Sequence, residues 1–244
     1  MANWSDPRTL GAVPGVNVGI QGAAYDAGLR SYMLSVYNYM ASGVLLTGLV
    51  AYGFASSGLA ADIMRGPGLM KYVIMFAPLA FILVMSFGLN KLSTFATQAC
   101  FWAFATVMGL SMSTIFLVYT GASIAQTFFA TAAAFAGLSL YGYTTKKDLS
   151  GMGTFLIMGV VGLLVASVIN IFMQSGTMNL VISFVGVLIF AGLTAYDTQR
   201  IKSMYQYVAG TDMVGKTVVM GALSLYLDFI NMFQFLLSFL GNRE

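Results

Sequence analysis

Asp197 and Asp228 are the two acidic residues of this chain that lie inside long apolar stretches of sequence. A charged aspartate at the centre of a bilayer costs about 2.5–3.5 kcal/mol on the insertion scale. Intramembrane acids therefore usually face a protein interior or a water-filled path, where they handle ions or protons. If the two carboxylates meet, their charges repel each other. The pair is then expected to share one proton and to titrate as a coupled unit.

Other reactive side chains are scarce. The chain has no histidine and a single cysteine, Cys100. A response to pH near neutrality would therefore have to come from carboxylates. An internal disulfide and a cysteine-based metal cluster are excluded, so no cofactor is predicted and Cys100 is expected to be a small packing residue. The basic residues are scattered among loops rather than clustered, so we expect no nucleic-acid partner.

The composition indicates an all-α integral membrane protein. Hydrophobic residues make up 59% of the 244 residues and charged residues 8%, with a mean hydropathy of +0.84, whereas soluble domains carry about 25% charged residues. Residues 1–28 contain no long apolar run and are predicted to form a flexible N-terminal tail. Residues 29–244 are predicted to form a domain of seven transmembrane helices. The predicted spans are 31–55, 72–90, 97–119, 122–143, 152–174, 179–200 and 215–240.

The distribution of lysine and arginine predicts the orientation in the bilayer. Eight basic residues precede the first span or follow an even-numbered one, and three lie on the other side. Because cytoplasmic loops are enriched in positive charge, this bias predicts a cytoplasmic N-terminus. The eight residues on the predicted cytoplasmic side are Arg8, Arg30, Lys91, Lys146, Lys147, Arg200, Lys202 and Lys216.

The seventh span carries a stripe of small and polar residues at helical spacing. A helix with such a stripe should be surrounded by other helices rather than by lipid. A weaker polar face, with Ser167, Asn170 and Gln174, occurs on the fifth span. One alternative is that these groups only bond helix to helix. The stripe consists of Thr217, Gly221, Ser224, Asp228, Asn231 and Ser238.

The depth of Asp197 depends on where the sixth helix ends. If it ended at Arg200, Asp197 would lie only about 5 Å below the surface, whereas Asp228 would lie about 16 Å deep. The apolar pattern continues past Arg200, however, and predicts a helix that runs on to about Val208. Arg200 and Lys202 would then extend outward to the interface. The two carboxylates would lie at comparable depth and could meet.

Two segments resemble the transmembrane Bax inhibitor motif family, also called Bax inhibitor-1-like. They are GLTAYDTQ, from Gly192 to Gln199, and ALSLYLDFIN, from Ala222 to Asn231. The turn Lys146-Lys147-Asp148-Leu149 is also similar to that of the family. The resemblance covers residues 30–240, in the right order, and is closest to the bacterial branch. It implies two three-helix layers around a central C-terminal helix, in a bacterial inner membrane.

The resemblance also implies a function, a pH-sensitive calcium leak, with calcium and protons as the partners of the site. Asp197 and Asp228 would be the paired sensor and a weak transit site for calcium, and Lys91 would latch Asp197. Lysine lacks the planar fork of arginine, which some relatives carry there, so the latch should be weak. Supporting polar residues of the path would be Ser224, Asn231, Asn170 and Tyr196.

Three other functions are alternatives to a calcium leak. Relatives are associated with protection against cell death and with modulation of a membrane protease, so a regulatory role through binding other membrane proteins is the alternative function. An intramembrane aspartyl protease would use Tyr196-Asp197, but its Gly-x-Gly-Asp and Pro-Ala-Leu motifs are missing, and no enzymatic activity is predicted. A proton-coupled transporter is disfavoured by the lack of an internal repeat or paired broken helices.

Overall fold

A computed structural model of the chain describes residues 18–66, 68–88 and 92–242, with side chains from Tyr25 onward. This part of the chain forms α-helices and one short 3-10 helix, Ser113–Leu117, and contains no strand. The helices are α1 Val18–Ser56, α2 Leu59–Arg65, α3 Met70–Gly88, α4 Thr94–Met112, α5 Gly121–Thr144, α6 Ser150–Met173, α7 Gly176–Val208 and α8 Val214–Leu240.

Seven of these helices are long and apolar enough to cross a membrane, which confirms the predicted seven spans. The exception is α2, a helix of seven residues between α1 and α3 that was not predicted. A span needs about 20 residues to cross the hydrocarbon core, and the seven helices have 19 to 33 residues in their candidate spans. The chain is an integral membrane protein, and its environment is a lipid bilayer.

Two helices extend well beyond the apolar segments that identify them. We predicted that α7 runs on to about Val208, and it ends there. We expected a tail over residues 1–28, but α1 begins at Val18; residues 1–17 lie outside the described part. Tyr205 accounts for both extensions, because its ring lies 5.2 Å from those of Tyr25 and Tyr32, and its hydroxyl lies against Gly28. Each helix end thus gives the other a packing surface.

The helices are arranged as two groups around α8. In the first group, α4 packs against both α1 and α3; in the second, α7 packs against both α5 and α6. Helix α8 contacts α1, α4, α5 and α7. Its side chains are buried on nearly every face, and those of Val219, Leu225 and Tyr226 are completely inaccessible. The structure confirms the predicted central C-terminal helix between two three-helix layers.

A buried hydrogen-bond network joins α8 to the first group. The Thr47 hydroxyl donates to the backbone oxygen of Ala105 at 2.8 Å and also bonds the Tyr226 hydroxyl at 2.7 Å. Since Thr47 has one hydroxyl proton and Ala105 can only accept, Tyr226 must be the donor to Thr47. The Tyr226 ring packs edge to face against Phe101 and Phe104. The network thus ties α1, α4 and α8 together.

This network makes a prediction about stability. Thr47→Val leaves the Tyr226 hydroxyl buried without an acceptor, so we expect a loss of about 1–3 kcal/mol in the free energy of unfolding. Tyr226→Phe removes the donor and leaves Thr47 bonded to Ala105, so we expect a loss of only about 0.5–1.5 kcal/mol. Unfolding of the purified variants in detergent measures both values. A larger loss for Tyr226→Phe would contradict the assigned donor direction.

Candidate functional site

A cavity of about 630 Å³ lies between α8 and the helices α3, α4, α6 and α7. Apolar side chains form most of its wall. Both membrane aspartates, one from α7 and one from α8, line it together. Its polar and charged lining residues are Ser167, Asp197, Arg200, Ser224, Asp228, Asn231 and Gln234.

The two aspartates lie at comparable depth, as the extended α7 predicts. Asp197 lies 11 residues before the end of α7, and Asp228 lies 14 residues after the start of α8. At a rise of 1.5 Å per residue, these separations correspond to about 16 Å and 21 Å. Both residues line the same cavity. The structure therefore brings both carboxylates to one cavity in the interior of the spanning bundle.

Asp228 lies in the most enclosed part of this site. Its side chain is only 4% exposed, and its Oδ2 atom has no hydrogen-bond partner among the residues that the structure describes. An unpaired carboxylate in such a place costs several kcal/mol when it is charged. Asp228 must therefore either be neutral or have its charge compensated by a cation.

Asp197 is partly exposed, and the position of its helix is set by a chain of hydroxyl groups. Thr198 donates to the Thr194 backbone oxygen at 2.8 Å, so it can only accept from Ser139, 2.9 Å away. Ser139 must in turn accept from the Tyr37 hydroxyl at 2.7 Å. Every proton of this chain is thereby assigned, and it ends on a backbone oxygen. It holds α1, α5 and α7 in register.

Arg200 is the cation that the structure brings to the cavity. It lies three residues from Asp197, about one helical turn along α7, and lines the same cavity. Lys91, which the family resemblance implies as the latch, lies outside the described residues. Lys202 points elsewhere, because its Nζ donates to the Tyr143 backbone oxygen at 2.7 Å and lies over the Tyr143 ring.

The remaining predicted site residues divide into two groups. Ser224 and Asn231 line the cavity, and the Asn231 amide also donates to the Leu227 backbone oxygen at 2.8 Å. Asn170 does not line it, because its Oδ1 accepts from the Ser175 backbone N–H at 3.1 Å in the turn between α6 and α7. Tyr196 does not line it either, because its ring packs against Gly153 of α6.

Other members of the polar stripe bond helix to helix, as the alternative interpretation has it. The Ser238 hydroxyl is hydrogen-bonded to that of Ser183 at 2.9 Å and accepts from the Asn179 amide at 3.3 Å, which joins α8 to α7. Gly221 gives close approach to Ile201. Only the middle part of the stripe, from Ser224 to Asn231, therefore lines the cavity.

One functional candidate was missed in the sequence. Gln234 lines the cavity three residues beyond Asn231, which lies three residues beyond Asp228. That spacing places all three on one side of a helix. This spacing is visible in the sequence, but the stripe as defined above continues from Asn231 to Ser238, at a spacing of seven, and omits Gln234.

The cavity offers oxygen atoms that a hard cation could use as ligands. Calcium prefers oxygen ligands, and the cavity offers two carboxylates with a side-chain amide and hydroxyl groups nearby. Within the described ranges, no group of three or more cysteine or acidic side chains comes together. Two carboxylates without a third are too few for a tight calcium site, and they favour weak binding.

Comparisons with known proteins identify related chains. The family model described as inhibitor of apoptosis-promoting Bax1 matches residues 29–244. An uncharacterised protein of Rickettsia prowazekii is 47% identical over 221 residues, which cover 90% of this chain and 93% of that protein. One of Caulobacter vibrioides is also 47% identical, over 90% of this chain and 92% of that protein. The inner membrane protein YbhL of Escherichia coli is 43% identical, over 89% of this chain and 94% of YbhL.

Proposed function

Because this chain belongs to the Bax inhibitor-1-like family of membrane proteins, we propose that it is a calcium-permeable leak channel gated by its buried aspartate pair and sensitive to pH. The transported ion is calcium, which the protein holds only in transit. By the same proposal the chain is not an enzyme. It lies in a bacterial inner membrane, as YbhL does by name, with its N-terminus in the cytoplasm.

One observation carries this proposal: Asp197 and Asp228 line one cavity inside a bundle of spanning helices. A bundle that only binds partners through its surface does not need an acid with an unbonded oxygen in its interior. A pair of neighbouring carboxylates in an apolar cavity can hold one proton or attract one divalent cation. Proton and calcium occupancy would therefore compete at the same oxygens.

The gating step follows from the charge of Asp197. When Asp197 is charged, its attraction to a nearby cation holds the cytoplasmic half of the bundle shut. Protonation removes this attraction, so the helices around α8 can part and a calcium ion can pass Asp228. Either Arg200, which lines the cavity, or Lys91, which the family resemblance implies, supplies the cation.

The direct test is calcium flux into liposomes that contain the purified protein, measured across a range of pH. Asp197→Asn mimics the protonated side chain, so we expect its flux to remain at the acid level of the wild type at every pH. Asp228→Asn removes the charge that attracts the ion, and we expect flux to fall about tenfold, equivalent to about 1.4 kcal/mol of barrier.

The matched control is Asp148→Asn, which alters an exposed aspartate in the turn between α5 and α6. Asparagine can still accept the hydrogen bond that the Ser150 backbone N–H gives to Asp148. This variant should keep the flux and pH response of the wild type. Unchanged flux and pH response in both Asp197→Asn and Asp228→Asn would refute the channel function.

A second pair of variants tests which cation acts as the latch. Removing the partner of Asp197 should raise the flux at neutral and alkaline pH, where the wild type is closed. We expect this effect for Arg200→Gln, with Lys202→Gln as the control, because Lys202 bonds Tyr143. A rise in flux for Lys91→Gln with none for Arg200→Gln would assign the latch to Lys91.

The description of the matching family, inhibitor of apoptosis-promoting Bax1, supports a second candidate function. In this alternative the chain binds and modulates another membrane protein. The two functions can be separated by removing residues 1–17, which precede α1. Loss of partner binding with intact calcium flux would show that binding is a separate activity. Loss of neither would leave the channel as the function of residues 18–244.

A further inference from the structure

Gln234 differs from its surroundings on α8. Met232 and Leu237, on either side of it, are each 1% exposed, and Phe235 and Leu236 are partly buried, whereas Gln234 is exposed. It lies within the spanning part of the helix. A polar amide at such a position normally bonds a neighbouring helix, but the side chain of Gln234 has no hydrogen bond to any described residue. Bonding between helices therefore does not account for it.

Gln234 lines two cavities at once. The first is the 630 Å³ cavity that contains Asp197 and Asp228. The second, of about 330 Å³, is also lined by Ser111, Thr114 and Tyr119. Tyr119 packs against Gly241, at the C-terminal end of α8, so the second cavity lies toward that end of the bundle. Gln234 is the residue of α8 that lines both cavities.

The polar residues of α8 that line the first cavity beyond Asp228 lie about one helical turn apart. Asp228, Asn231 and Gln234 are spaced by three residues, or about 4.5 Å along the axis at each step. Gln234 lies six residues, or about 9 Å, before the end of α8 at Leu240. These three side chains therefore extend from the acid pair toward the second cavity and the C-terminal end of α8.

We propose that Gln234 is the polar neck through which an ion leaves the acid cavity and enters the second cavity on its way to the other membrane surface. This inference rests on the proposed channel function and extends it to the half of the path without acids. A neutral amide suits such a neck, because its carbonyl oxygen can replace a water ligand of a cation. Since it carries no charge, it does not trap the ion.

The first experiment measures calcium flux in liposomes for Gln234→Leu. An apolar side chain of similar length leaves the ion without a ligand at the neck, so we expect flux to fall about tenfold. The matched control is Gln126→Leu, the same change at an exposed position of spanning helix α5. Its flux should equal that of the wild type. Unchanged flux in Gln234→Leu would overturn the proposal.

The second experiment does not depend on calcium. The single native cysteine is removed as Cys100→Ala, and Gln234→Cys or Met232→Cys is added to that background. A charged thiol reagent that cannot cross the membrane is then applied from each side in turn. We expect Gln234→Cys to react from the side of the second cavity and Met232→Cys, buried at nearly the same depth, to remain unmodified.

The two experiments separate failure of the neck from failure of the channel. If Asp228→Asn lowers the flux but Gln234→Leu does not, the channel function holds and the neck is refuted. If the wild type carries no calcium, modification of Gln234→Cys still supports a water-filled neck at this position. Absence of modification from both sides would refute the neck in either case.

Discussion

Asp228→Asn is expected to make the protein more stable and less active at the same time. The wild-type carboxylate is almost completely buried and has an oxygen without a hydrogen-bond partner in the described part of the chain. At alkaline pH the folded state must either carry a charge there or hold a proton that the unfolded chain releases, and an asparagine of the same shape does neither. We expect the free energy of unfolding to rise by about 1–4 kcal/mol at alkaline pH.

The sign of the pH dependence makes this expectation specific. At acidic pH the wild-type carboxyl is protonated and resembles asparagine, so the difference in stability between the two proteins should vanish. It should grow as the pH rises, because the unfolded wild type then gains a solvated charge, whereas the folded wild type must keep a proton or bury that charge. Unfolding of both proteins in detergent at a series of pH values measures the difference. Equal stability at every pH would contradict an uncompensated charge at Asp228.

Asp148→Asn is a control of the opposite sign. Hydrogen bonds from the side chain and the backbone of Ser150 hold the pKa of Asp148 below its ordinary value. The charged form of Asp148 is therefore favoured in the folded state, and any contribution to stability is present above its ordinary pKa and is lost as the pH falls. Substitution at Asp148 should cause no gain in stability at alkaline pH.

Gly142→Ala is the substitution that should disturb the packing most. Gly142 of α5 is buried at the closest approach to α7, and an added Cβ would lie 2.9 Å and 3.0 Å from the backbone carbon and Cα of Ala195 and would overlap its oxygen. Backbone atoms cannot rotate away, so the helices must separate. We expect a loss of about 2–3 kcal/mol in the free energy of unfolding.

The same helix supplies the control. Gly137 of α5 is exposed, and a Cβ added there would meet nothing within 4 Å in the described structure. Gly137→Ala should therefore stabilise the helix by about 0.5–1 kcal/mol. The two variants thus test whether the closeness of the α5–α7 contact, rather than glycine as such, determines stability. A similar change in stability for Gly142→Ala and Gly137→Ala would show that the close α5–α7 contact does not determine the effect.

Gly142→Ala should also affect the flux of calcium. Ala195 lies two residues before Asp197, so a displacement of α7 moves that carboxylate relative to Asp228. We expect the pH response of the flux to change in protein that remains folded. Wild-type flux together with reduced stability would show that the pair tolerates displacement.

The amino-acid sequence by itself determined the class of the protein and the order of its helices. Apolar segments of about 20 residues predict spans because backbone groups in lipid must bond within a helix. The apolar pattern beyond Arg200 predicted the end of α7 at Val208, because helical periodicity is a local property of the chain that can be read from the sequence. The identity of Asp197 and Asp228 as candidates also followed from the sequence, because a charge in lipid is costly wherever the helices pack.

The tertiary structure alone decided what each polar residue faces. Periodicity specifies which residues share a face of a helix, but not which neighbour that face meets. Asn170 and Ser238 fit the polar pattern as well as Asn231 does. Asn170, however, bonds the turn before α7, Ser238 bonds α7, and of these three residues Asn231 alone lines the cavity. The packing of Tyr25 against Tyr205 and the position of Gln234 between two cavities likewise depend on contacts between segments that are far apart in the sequence. Those contacts are set by how side chains of different helices fit together, which no single stretch of sequence contains.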